Sequence, residues 1–162
     1  MKKYVIISMA CVLLAAVGAF GAPATKEKSL SGLKQVKFVV DVNVGNPQLL
    51  LLRMDLLDKT YRQLVTAGMK PVVVVAFRGK ASQFITKGDG YVAPDEKGAK
   101  LEMKTWIERF KKEGFTIEQC GIAAGLLDID LKDFLPQVEV VENGYVSLIG
   151  YQQQGYAYLP MD

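Results

Sequence analysis

The 162-residue chain contains no histidine, which excludes a His-dependent triad, a His-rich metal site and imidazole acid–base catalysis. Half of the residues are hydrophobic and 23% are charged, an ordinary globular balance with length enough for one well-filled core and not for two. Twenty Lys and Arg against 17 Asp and Glu give a net charge of +3, too small and too interspersed to point to nucleic acid or an anionic lipid surface.

Residues 1–24 have the layout of a secretory signal peptide: Lys2 and Lys3, an apolar run from Tyr4 to Val17, then small residues through Ala24. Both Ala19-Phe20-Gly21 and Ala22-Pro23-Ala24 fit the small-x-small cleavage rule, and the run is short of the roughly 20 residues that span a bilayer. Export to the periplasm follows, with no membrane span after cleavage. Removal takes two lysines, no acids and Cys11, leaving 18 basic against 17 acidic residues, a net charge of +1, and Cys120 as the sole cysteine.

Residues 25–34 are polar and predict a flexible lead-in, so the domain covers 35–162. The β-branched run from Gln35 to Val44 predicts a buried strand, broken by "GNPQ". Leu49, Leu52, Leu56, Leu57 and Leu64 recur at helical spacing, with Pro47 suited to a first turn and Gly68 beyond the end. "KPVVVVAFRG" predicts a second strand without polar alternation, as in a parallel sheet covered on both faces. A Gly- and charge-rich connection, Ser82 to Gly98, leads to a helix over 99–114 with Leu101, Trp106, Ile107 and Phe110 on one face. "FTIEQC" predicts a third strand, 121–136 a short or broken helix, "QVEVVEN" a fourth strand, 144–155 a helix and "YAYLP" a last strand. Successive βα units predict an α/β fold, a three-layer α/β/α sandwich of flavodoxin-like architecture on a mainly parallel five-stranded sheet.

Ligands of open parallel sheets bind beyond the carboxyl ends of the strands. That rule singles out Asn43 after the first strand, Arg78 and Gly79 after the second, and Cys120 with Gly121 and Ile122 after the third. If the segment after Cys120 is helical, its free N–H groups face the sulfur, stabilise a thiolate and make a nucleophile without histidine. Position alone serves a second reading equally well, in which Cys120 is a small buried hydrophobe. "GKAS" lacks the upstream glycine spacing of a phosphate loop, and Asp89 and Asp95 are too few for a calcium loop. Neither a metal nor a cofactor is expected.

The stretch from "CGIAAGLLDID" through "DFLPQVEVVENGYVSLIGYQQQGYAYLP" resembles the C-terminal half of DsrE/DsrF-like proteins. A cysteine ends a strand, with Ala123 three residues later, then Asp128-Ile129. A Leu135-Pro136-x-Val138 turn follows, then Gly144 ahead of a helix and a Gln152-to-Ala157 close. The resemblance implies a five-stranded α/β/α domain that assembles as a homo-oligomer, a trimer or hexamer. In sulfur-oxidation members the family cysteine accepts and passes on persulfide sulfur, the role Cys120 would inherit, with a small sulfur compound or an acceptor thiol protein as partner. A sulfur carrier or sulfurtransferase is therefore expected, against the alternative of a non-catalytic oligomeric binding protein with a structural cysteine.

Overall fold

The computed structural model describes residues 27–162. The segment expected to be a signal peptide, 1–24, lies outside the described residues. Up to Ser31 the chain forms a unit separate from Gly32–Asp162, and its described part holds one 3-10 turn, Lys28–Leu30.

Five strands make one sheet: β1 (Gln35–Val42), β2 (Lys70–Phe77), β3 (Thr116–Cys120), β4 (Glu139–Val141) and β5 (Ala157–Met161). Their order is β4-β3-β2-β1-β5, and every pairing is parallel. Four helices connect them: α1 (Pro47–Thr66), α2 (Lys97–Lys112), α3 (Gly121–Leu126) and α4 (Gly144–Gln153). The expected α/β fold with helices on both faces of a parallel sheet is what forms. No described helix is long and apolar enough to cross a membrane.

The strand order dictates which face each helix covers. From β1 to β4 the chain steps in one direction, so right-handed crossovers place α1 and α2 on the same face. The step from β4 back to β5, beside β1, runs the other way and puts α4 on the opposite face. The cores follow this division. Phe38, Val40, Val42, Val73, Val75, Phe77 and Ile117 of the sheet meet Leu50, Met54, Leu57, Met103, Ile107 and Phe110 of α1 and α2. Under α4 a much smaller cluster joins Val39, Val74, Ala76 and Leu148, edged by Tyr151 and Tyr156.

Two expected helix faces are displaced. α1 buries Leu50, Met54 and Leu57, while Leu52 and Leu56 face outward; in α2, Met103 takes the place expected of Leu101, which is exposed. Four consecutive leucines, 49–52, occupy every side of one turn, so their spacing alone cannot select the side that meets the sheet. The Gly- and charge-rich connection after β2 is partly buried. Residues Gly79–Ile85 form a 3-10 segment that inserts Ala81, Phe84 and Ile85 into the main core. The buried Lys100 ammonium holds this connection by donating to Thr86 Oγ1 and the Gly88 carbonyl.

Candidate active site

Cys120 is the last residue of β3 and the N-cap of α3. An N-cap side chain accepts from the N–H two or three residues into its helix, and Sγ accepts from Ala123 N at 3.4 Å. A second donor comes from across the sheet end, where Gly144 N, the first residue of α4, lies 3.2 Å from Sγ. The sulfur thus receives two backbone N–H groups, the arrangement that holds negative charge on an acceptor. Gln119, wholly buried, fixes the backbone beneath it: Nε2 donates to the Cys120 carbonyl at 2.7 Å and to Ser82 Oγ at 2.9 Å.

The approach of α4 to the sulfur requires glycine. A Cβ on Gly144 would stand 2.9 Å from Cys120 Cβ and 3.3 Å from Sγ. Asn143 caps this helix, its Oδ1 accepting from Tyr145 N at 3.0 Å. Further along, Ser147 Oγ and Tyr151 Oη, the latter at 2.6 Å, donate to the buried Glu118 carboxylate two residues before Cys120. Strand β3 therefore holds the helix that caps its own cysteine. Burial, reinforced by the bond to Glu118, pushes the Tyr151 hydroxyl well above its ordinary titration range.

Cys120 lines a cavity of about 300 Å³ together with Arg78, Gly79, Lys80, Ile122, Ala123, Leu126, Leu127, Asn143 and Tyr145. Its exposure is only 5%, so reagents reach the sulfur through this cavity. Arg78 pairs bidentately with Asp41, Nε to Oδ1 at 2.6 Å and Nη2 to Oδ2 at 2.7 Å. Tyr158 Oη adds a third bond to Asp41 Oδ2 at 2.6 Å. The remaining arm of the guanidinium, Nη1, donates to Tyr145 Oη at 3.2 Å, with the Tyr145 ring centre 4.9 Å from Cζ. The bond to Asp41 raises the Arg78 pKa further above its already high ordinary value, so Arg78 is a fixed and locally neutralised charge.

Of the residues expected at the site, Cys120, Arg78, Gly79 and Ile122 line the cavity together. Gly79 has φ 55, which lets the chain turn sharply off β2. Asn43 contributes no lining side chain; its carbonyl abuts Gly79 instead. Gly121 is held against the Val141 and Glu142 carbonyls, where a Cβ would lie 3.1 and 3.3 Å away. The donors expected from Gly121 and Ile122 are corrected to Ala123 and Gly144: Ile122 N is engaged by the Glu142 carbonyl at 3.2 Å, and helical geometry aims the third N–H, not the first two, back at the cap. Sequence reasoning missed Asp41, Asn143, Gly144 and Tyr145. Asp41 was signalled by a lone carboxylate inside "VVDVNV", since a buried charge demands a partner.

Comparison with known proteins agrees with this architecture. A solved structure of a protein of unknown function from Methanobacterium thermoautotrophicum superposes with a TM-score of 0.57, covering 78% of this chain and 98% of that one at 17% identity, a likeness of fold. An uncharacterized protein of Aquifex aeolicus (strain VF5) is 26% identical over 125 residues, 77% of this chain and 56% of the relative, so the chain spans little more than half of that protein's length. The DsrE/DsrF-like family model matches residues 50–161, which take in α1 beyond its first three residues, both strand ends that flank the cavity, Cys120 and the capping helix; the chain belongs to the DsrE/DsrF-like family.

Proposed function

We propose that this protein is an exported, periplasmic sulfur carrier in which Cys120 attacks a sulfane sulfur, holds it as a persulfide and yields it to an acceptor thiol. Family membership supports a sulfur-relay type of protein. The observation that carries the finer reading is the convergence of Ala123 N and Gly144 N on a sulfur that lines a cavity. Those donors favour the attacking thiolate and, after transfer, the anionic persulfide. In the forward step the Cys120 thiolate forms a new S–S bond to the sulfane sulfur while the donor's own bond to that sulfur breaks and the donor departs with the electron pair. No second cysteine among the described residues is positioned to trap the product as an internal disulfide. The working unit is a homo-oligomer; its exposed apolar residues on α4, Val146 and Ile149, support such packing.

Intact-mass spectrometry after treatment with a polysulfide tests the proposal. The expected product is about 32 Da heavier, one sulfur atom added to the thiol, and it is absent in Cys120→Ser. No adduct in the wild type, or one that survives the substitution, overturns it. The burial of Cys120 favours a rival reading, an oligomeric binding protein with a structural thiol. It predicts a thiol that iodoacetamide modifies more slowly than a free peptide cysteine at neutral pH.

A further inference from the structure

The walls of the Cys120 cavity bear on which sulfur donor it admits, given the sulfur-carrier reading above. Ile122, Ala123, Leu126 and Leu127 supply an aliphatic side, and the Tyr145 ring faces across. Ile122 and Leu126 are successive positions on one side of α3, exposed by 50% and 81%. Of the two cations lining the cavity, Arg78 has its charge cancelled by a bidentate carboxylate, and its last free arm goes to Tyr145. Lys80, the second, is exposed, its stem lying over Gly45. An inorganic dianion entering here would lose hydration and meet, beside the neutralised Arg78, only the exposed Lys80 ammonium, a poor exchange. An apolar body would gain by shedding water.

We infer that the donor serving this site is a small organic persulfide, R–S–SH, whose R group is a neutral aliphatic or aromatic body seated against Ile122, Leu126 and Tyr145. Size agrees: a dry cavity of about 150 Å³ accommodates benzene, so about 300 Å³ holds a ring or short alkyl chain plus two sulfur atoms. The transfer balances without an oxidant. The Cys120 thiolate attacks the terminal sulfur of R–S–SH, the new Cys–S–S bond forms as the R–S bond to that sulfur breaks, the proton stays on the transferred sulfur, and R–S⁻ leaves with the electron pair.

The test is a donor series on the reduced protein without residues 1–24, in which Cys120 is the sole cysteine: methyl, butyl and benzyl hydropersulfide generated in the reaction mixture, with thiosulfate as the inorganic arm. The rate of persulfide formation on Cys120 is followed by intact mass. Each buried methylene is worth roughly a fourfold gain, so butyl should exceed methyl by between about eightfold and sixtyfold, according to how fully the chain is covered. Thiosulfate should be slower than methyl. Leu126→Glu, at an exposed position that bears little on folding, should collapse the butyl-to-methyl ratio toward one. A flat series, or thiosulfate as fast as the benzyl donor, overturns the apolar class while leaving the sulfur carrier intact. Failure of every donor, polysulfide included, overturns the carrier and this inference with it.

Discussion

Replacing Gly144 by alanine isolates what the close approach of α4 contributes. The φ of Gly144 is not positive, and alanine is the better helix former, so backbone preference alone favours the substitution. Sterics oppose it. The added methyl would lie 2.9 Å from Cys120 Cβ and 3.3 Å from Sγ, and both neighbours are anchored, one in β3 and the other by an N-cap and the bonds to Glu118. Overpacking of this kind costs about 1–3 kcal/mol, and losing the N–H···S bond as α4 retreats adds about 0.5–1.5 kcal/mol, or up to about 3 when the sulfur is charged. With the thiol neutral, the expected loss is therefore about 1.5–4.5 kcal/mol, a fall in Tm of roughly 5–18 °C for a domain of this size. Alkylation of Cys120 by iodoacetamide at pH 7 should slow about tenfold, the worth of one charge-assisted donor to the thiolate. Gly150→Ala, on the same helix with open space around its Cα, should instead stabilise by about 0.4–1 kcal/mol. A Gly144→Ala protein that matches wild type in both melting and alkylation would refute the claim that α4 is seated on the sulfur.

The other polar contacts give further expectations. Asp41→Asn strips the counter-charge from Arg78, whose side chain is 21% exposed, and should cost about 2–4 kcal/mol by urea midpoint, somewhat less than a fully buried pair. Arg78→Lys should recover only part of an Arg78→Ala loss, because an ammonium cannot make the two parallel bonds. Tyr151→Phe removes a bond to a buried carboxylate and should cost about 1–2 kcal/mol at pH 8. The folded state raises the Tyr151 pKa above its ordinary 10.0, so this stability is fully present below pH 10 and is lost as pH rises past it; the wild-type urea midpoint should fall more steeply above pH 10 than that of Tyr151→Phe. An equal slope in the two proteins would count against a buried Tyr151 hydroxyl.

The number of strands and their places along the chain were legible, most plainly β1 and β2, because a parallel sheet writes its central strands as β-branched, mostly apolar runs, and "KFVVDVNV" and "KPVVVVAF" have no other comfortable conformation; their order across the sheet was not. Strand ends were legible too, and with them Cys120 and Arg78. What the local pattern could not carry was partnership across the sheet. Asp41 and Arg78 are 37 residues apart, and Cys120 and Gly144 are 24 apart. Gly144 read only as a residue ahead of a helix; that its missing Cβ makes room for a sulfur depends on where β4 ends relative to β3. The face of α1 failed for a different reason, since leucine was too abundant there for spacing to choose among them; in α2 the buried stripe runs through Met103, Ile107 and Phe110, one helical step away from the expected Leu101.

The geometry at Cys120 follows from topology. Because the sheet order reverses only at the last crossover, α4 alone serves its face, and a helix that begins just after β4 must begin at the carboxyl edge, one strand away from the end of β3. A helix entering there presents its unpaired N–H groups to whatever ends β3. The three-residue β4 brings this about: Cys120 pairs with Val141, and only Glu142 and Asn143 separate that pairing from the first residue of α4. A longer β4 would carry the helix start past the sulfur. Inserting a single residue between Val141 and Asn143 should thus separate function from fold, since Glu142, the residue between the end of β4 and the α4 cap, is exposed while Gly144 N would be displaced by up to about 3.5 Å, beyond hydrogen-bond reach. Wild-type thiol reactivity in such an insertion variant, with melting also retained, would mean that the α4 terminus is dispensable and that α3 alone activates Cys120.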